Sequence, residues 1–280
     1  MQHWRLDDSR QSLVLAARGA RLPQIVYWGA PLPKGEDLAT LHAAAQLDVT
    51  GGMLDENPDL SLCPEAVRTF PGQPGLIIRA RDGTPILPKF CYESDAVTDE
   101  YLTLVYADED HGLRLTFHVA IDPVTHIITA RTELDAADPV HLHWLSAPVF
   151  PASQLSDEMM DFSGRWCGEF MPQRTPWSPG MRYRENRTGR TGHEHFPGLI
   201  VLERGATNTQ GGAFGFHYGW SGGHRMIAEE LPDGRRQIQF GHAARMEQSA
   251  STHFETAPLY AVYSSDGLNG CAVSFQRHLR

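Results

Sequence analysis

Three runs of alternating residues in close order constrain this chain most. Tyr101–Ala107, Leu113–Ile121 and His126–Leu134 each read as a strand, and the joins between them are too short for a crossover. Asp108-Glu109-Asp110-His111-Gly112 is turn chemistry between the first two, and Asp122-Pro123 between the second and third. With a two-residue side-chain period, Leu113, Leu115 and Phe117 share one face of the middle run, and Arg114, Thr116 and His118 the other. Short connections require antiparallel pairing, so the segment is predicted to be an antiparallel meander.

The same signals recur along the chain. Arg10–Ala17 alternates, with Leu13 and Leu15 on one side, and Gln24–Trp28 is a short aromatic and β-branched run. Later candidates are Leu199–Glu203, Ala213–Trp220, Arg225–Glu230, Arg235–Gly241 and Tyr260–Ser264. Pro232-Asp233-Gly234 marks a turn between two of these. Many short strands separated by Gly, Pro and Asp turns predict an all-β fold, a large antiparallel sandwich of two packed sheets. Its 280 residues and 41% hydrophobic content suffice for one large β domain or two small ones. Two stretches resist the strand reading. Ala30–Phe70 is polar and interrupted by Gly and Pro, and Pro148–Gly192 is rich in Trp, Arg and Gly. Long irregular segments in a compact domain are usually functional or disordered, and the aromatics here argue for order. At the end of the chain, Asn269 could cap a helix with Val273, Phe275 and Leu279 as its apolar positions. The expected division is a sandwich over residues 1–268 and the start of a linker helix over 269–280, with the chain continuing beyond.

Charge and cysteine spacing remove several function classes. The net charge is -10 with no run of like charges, which argues against nucleic acid and anionic membranes as partners. Lys34 and Lys89 are the only lysines; genomic base composition explains an arginine bias as readily as function does. Cys63, Cys91, Cys167 and Cys271 are far apart and form no CxxC pair, so zinc and redox motifs are unsupported. The first residues, Met1 to Asp8, lack the apolar core of a signal peptide, and no stretch approaches the ~20 apolar residues of a membrane span. The expected compartment is the cytoplasm. No cofactor is expected.

Several segments, taken in order, carry a resemblance. They are Tyr27-Trp28-Gly29, Leu60-Ser61-Leu62 through Glu65, Phe70-Pro71-Gly72 and Phe162-Ser163-Gly164-Arg165-Trp166-Cys167-Gly168-Glu169. They continue with Gly192-His193-Glu194-His195-Phe196-Pro197, Gly215 through Gly222, and Pro258-Leu259-Tyr260 through Gly270. Together they resemble the N-terminal domain of glycoside hydrolase family 36. Two positions depart from the family pattern: Gly223 follows Gly222 where Asn is usual, and Leu259 follows Pro258 where Glu is usual. The resemblance implies a galactose mutarotase-like supersandwich, followed by a catalytic barrel in the same polypeptide and a small β domain. It implies a retaining α-galactosidase acting on terminal α-galactosyl residues of galacto-oligosaccharides, and assembly into a homo-oligomer. Retention uses two carboxyl groups about 5–5.5 Å apart. The family's nucleophile sits in a Lys-Trp-Asp motif, and neither Lys34 nor Lys89 is followed by Trp-Asp. No catalytic residue is therefore expected in this chain, which alone should be inactive.

The resemblance also singles out two substrate-binding residues. Trp166 corresponds to a family tryptophan that walls the galactose site, where an indole face suits the apolar C–H face of a sugar. Asp55, with Asp48 as its rival, lies in the region from which some family members supply an aspartate to galactose hydroxyls. The bland alternatives are a core tryptophan and a turn-forming aspartate. The segment Phe162–Phe170 is expected on a surface loop at the edge of the sandwich, because its apolar members do not alternate. The pairs His141/His143 and His193/His195 have a spacing that can chelate zinc, but no third ligand can be assigned and 14 histidines produce such pairs by chance. Asp157-Glu158 and Glu229-Glu230 point to opposite faces of a strand and make poor catalytic dyads. Two rival functions share the architecture: an aldose-mutarotase-like epimerase, for which no His–Glu pair stands out, and a carbohydrate-binding module.

Overall fold

The alternating runs become strands, and most of their buried residues form one main core, with two smaller clusters beside it. The computed structural model describes residues 1–46, 57–243 and 250–280. In chain order the first strands are β1 (Gln2–Asp7), β2 (Ser12–Ala17), β3 (Gln24–Gly29), β4 (Leu76–Arg79), β5 (Pro85–Ile86), β6 (Cys91–Val97), β7 (Tyr101–Asp108), β8 (Leu113–Ile121) and β9 (Ile128–Leu145). There follow β10 (Phe150–Pro151), β11 (Ser156–Arg165), β12 (Gly168–Pro176), β13 (Gly180–Glu185), β14 (Gly198–Glu203) and β15 (Ala213–Tyr218). The last are β16 (His224–Glu230), β17 (Arg236–His242), β18 (Ser251–Glu255) and β19 (Leu259–Ser264). Helices α1 (Leu38–Ala44) and α2 (Gly267–His278) complete the regular structure, with a short 3₁₀ turn at Ala66–Arg68.

Strands β12-β11-β14-β15-β19-β9-β8-β7-β6 run side by side in one twelve-stranded sheet, to which β18, β4 and β5 are joined through β9. The facing layer is divided into a three-stranded sheet, β1-β2-β3, and a four-stranded sheet, β10-β17-β16-β13. Trp28 of β3 ties the three together: its indole meets Phe150 of β10 at 5.0 Å, Phe214 of β15 at 5.0 Å and Phe216 of β15 at 5.4 Å, all edge to face. The predicted meander forms with the expected faces, since Leu113, Leu115 and Phe117 are buried and pair across to β7 and β9. The Pro232-Asp233-Gly234 turn joins β16 to β17, with Gly234 at φ +83°. The all-β, two-layer antiparallel expectation holds, the second layer being split.

Three expectations are corrected. The strand predicted over His126–Leu134 begins at Ile128 and runs to Leu145, because His126 takes a left-handed φ of +63° and donates its N–H to Asp122 O at 2.7 Å. Pro139 is tolerated inside β9 because it falls between the end of β8 pairing at Ala136 and the start of β4 pairing at His141. The stretch Pro148–Gly192 is not irregular; it contains β10, β11, β12 and β13. Most of β12 is exposed, since it is the sheet's edge strand, so it carries no alternation to read. Finally, Asn269 does not cap a helix: α2 begins at Gly267, and the N–H groups of Gly267, Leu268 and Asn269 donate to the carbonyls of Gly211, Thr207 and Asn208. The face α2 buries is built on small residues, Gly270, Cys271 and Ser274, while Val273 and Leu279 face solvent.

Candidate functional site

Pairing of Arg165 with Gly168 closes the β11–β12 hairpin and leaves Trp166 and Cys167 as its two-residue turn. Cys167 sits at φ +64°, a left-handed conformation costly for a side chain with a Cβ, and its N–H donates to Glu169 Oε1 at 3.0 Å. One residue before the pair, the register shifts at Gly164, where a Cβ would collide with the Gly168 carbonyl. Phe170, at φ +51°, is a second left-handed residue in this hairpin. Backbone held in sparsely populated regions tends to cluster at functional sites. Trp166 is 80% exposed, and among the described residues its indole makes no hydrogen bond or ring contact. From Ser163 onward the segment is at the sheet edge and outside the core as predicted, but on a paired hairpin rather than a loop, while Phe162 packs half-buried against the cluster that contains Met160.

The hairpin is fixed by a network that crosses between the layers. Asp161 of β11 is buried, and its Oδ2 accepts from Arg182 Nε and Nη2 at 3.0 and 2.7 Å and from Arg184 Nε at 3.2 Å. Both arginines lie on β13, two residues apart and so on one face. Arg184 Nη2 donates to Gln173 Oε1 at 2.7 Å, and Gln173 Nε2 donates to Ser163 Oγ at 2.7 Å, three residues from Trp166. On the outer face, Phe196 receives Phe162 and Phe170 edge to face at 5.9 and 5.7 Å and stacks on His217 at 5.2 Å. A solvent-exposed ring on a base held by charge-assisted hydrogen bonds and aromatic packing is pre-organised for contact with a ligand or a neighbouring domain. Asp161, Arg182 and Arg184 were not singled out from the sequence. The alternation of two arginines in a short strand is the signal that could have found them.

The remaining candidates separate. Asp55 and Asp48 lie outside the described residues. His141 and His143 both face solvent on β9, whereas His193 lies 3.7 Å from Glu194 and His195 Nδ1 is buried with no hydrogen-bond partner among the described residues. No group of three or more His, Cys, Asp or Glu side chains placed to hold a metal occurs among the described residues. The paired acids pair apart: Asp157 with Arg204, Glu158 with Arg174, Glu230 with Arg236, while Glu229 accepts from Gln237 Nε2 at 2.6 Å. All four cysteines are free, and burial pushes the Cys271 thiol up to about 12, which makes it inert.

The sequence pattern of the glycosyl hydrolase family 36 N-terminal domain matches residues 21–247. Along its whole length the chain is 34% identical to an α-galactosidase of Escherichia coli, of which it spans 39%. The fold superposes on the family 36 α-galactosidase AgaA of Geobacillus stearothermophilus in complex with stachyose, at a TM-score of 0.83 and 20% identity, covering 99% of this chain and 42% of that one. It also superposes, at a TM-score of 0.50 and 8% identity, on a galactose mutarotase related enzyme of Lactobacillus acidophilus, covering 95% and 98% of the two chains. These two likenesses concern the fold. With the mutarotase-like sandwich on one side and the family pattern over most of its length on the other, this chain belongs to the N-terminal domain of glycosyl hydrolase family 36.

Proposed function

We propose that this domain serves a retaining α-galactosidase that removes terminal α-galactosyl residues from galacto-oligosaccharides in the cytoplasm. The observation that carries the reading is the full-length match to the E. coli α-galactosidase, which is more than twice as long as the matched part. A catalytic barrel in the same polypeptide supplies the two carboxylates, one as nucleophile and one as acid/base. The sandwich, residues 1–268, contributes substrate-site loops and subunit contacts, and residues 269–280 lead toward the barrel. Trp166 stacks on the C–H face of galactose, and Asp55 accepts hydroxyl hydrogen bonds. The exposed, pre-organised hairpin supports the role of Trp166, because an indole in that setting has apolar area to offer and little conformational entropy to lose.

The 280-residue chain alone should not hydrolyse p-nitrophenyl α-galactoside above a blank, whereas the polypeptide that includes the barrel should, releasing α-galactose first. Hydrolysis by the isolated chain, or an inactive barrel-containing polypeptide, overturns the assignment. Release of β-galactose first overturns retention.

A further inference from the structure

Splitting the second layer into two sheets leaves a gap between β3 and β10, and the gap is lined. A cleft of about 500 Å³ opens there, walled by β3 and β10, the ends of β14, β15 and β19, and the start of β17. None of its lining residues belongs to the Trp166 hairpin. Tyr27, Trp28, Phe214 and Tyr263 supply aromatic surface, and Phe214 and Tyr263 lie 5.1 Å apart. Tyr27 is held in place by its hydroxyl, which donates to Ala30 O at 2.6 Å, and Trp28 by Nε1, which donates to Gln11 Oε1 at 2.9 Å. The Tyr263 hydroxyl has no partner among the described residues.

Glu203 closes β14 and faces the cleft. Its carboxylate lies over Gly212, where any Cβ would collide with it, so the side chain is laid flat against the backbone. Among the described residues this carboxylate has no ion pair and no hydrogen bond. Burial, and then nearby negative charge from Glu203 and Glu36 on Tyr27 and from Glu203 and Asp266 on Tyr263, push both hydroxyls up. The lining also includes Arg235, paired with Asp233, and Arg236, paired with Glu230.

The combination discriminates between ligand classes. Aromatic rings beside a carboxylate would also suit a quaternary ammonium group, but that group offers no acceptor to the Tyr263 hydroxyl, which has no partner among the described residues. Arg235 and Arg236 also line the cleft, but both are already paired and so do not call for an anion. What remains is a neutral molecule with an apolar face for the rings and hydroxyl donors for a carboxylate with free lone pairs. We propose that this cleft is a carbohydrate-binding site that takes one neutral hexose ring, with Glu203 accepting sugar hydroxyls and Tyr263 presenting its ring and hydroxyl. The site gives the domain a sugar contact of its own, independent of any barrel.

Calorimetric titration of the 280-residue chain with D-galactose tests it, with choline as the cationic competitor. The expected result is saturable binding of one galactose per chain, weakened at least tenfold by Glu203→Gln and about threefold by Tyr263→Phe, with thermal midpoints unchanged. Choline should not displace the sugar. Tyr263→Phe keeps the ring and carries the test should Glu203→Gln fail to fold. Absence of saturable binding, unchanged affinity in a folded Glu203→Gln, or displacement by choline overturns the proposal.

Discussion

Replacing Trp166 with alanine should separate binding from stability. With the indole 80% exposed, about a fifth of its surface is covered by the rest of the domain. A tryptophan offers up to ~250 Å², so the fold loses contact over roughly 50 Å², about 1 kcal/mol at ~25 cal/mol per Å². A hexose lying on the ring would cover about 60 Å² and contribute about 1.5 kcal/mol, close to tenfold in affinity. An interaction made equally in ground and transition states appears in KM rather than kcat. In the polypeptide that joins this domain to its barrel, Trp166→Ala should therefore raise KM for an α-galactoside about tenfold, leave kcat within a factor of two or so, and lower the thermal midpoint by only a few degrees. Trp166→Phe should recover part of the loss. A variant with wild-type KM that unfolds many degrees earlier would show that the indole serves packing, and the stacking role would be refuted.

Asp161→Ala leaves Arg182 and Arg184 without their shared carboxylate; because those side chains keep 23% and 27% exposure, the cost should fall at the low end for a broken buried pair, about 3 kcal/mol by urea unfolding. A change under about 1 kcal/mol would mean that the network does not hold the layers together. Gly164→Ala should displace the hairpin tip, read as faster proteolysis near Trp166 with little change in the global midpoint, whereas unaltered cleavage would show that the register shift is not needed. Burial pushes His224 from 6.5 down to about 4, so between those values the unfolded chain binds the extra proton and stability falls as pH falls. The full loss is about 3 kcal/mol, is absent above pH ~6.5 and is complete below pH ~4. His217 and His242 are shifted down by burial in the same direction. Urea melts across that window should show the decline, and His224→Gln should flatten it; an equal slope in the variant would refute the assignment.

Local patterning determined a good deal of this protein. Leu113–Ile121 could be bounded to the residue, because one face of β8 is wholly buried while the other carries Arg114, Thr116 and His118, and period-two alternation records that asymmetry. Turn chemistry placed the β16–β17 join, and ordered motif pieces identified the family. Exposure of Trp166 was also legible, since Ser163, Gly164, Arg165 and Glu169 around it cannot all be buried. The edge strand β12 was not legible, because a strand exposed on both faces bears no alternation. Nor was the length of β9, whose Pro139 reads as a stop until the exchange of partners around it is known. The Asp161 clamp depends on β13 lying against β11 across two layers, a juxtaposition of residues 21 and 23 positions apart. The Glu203 cleft exists only because the second layer divides. Such arrangements depend on how sheets pack, and packing joins residues by shape and charge across distances that no local period encodes.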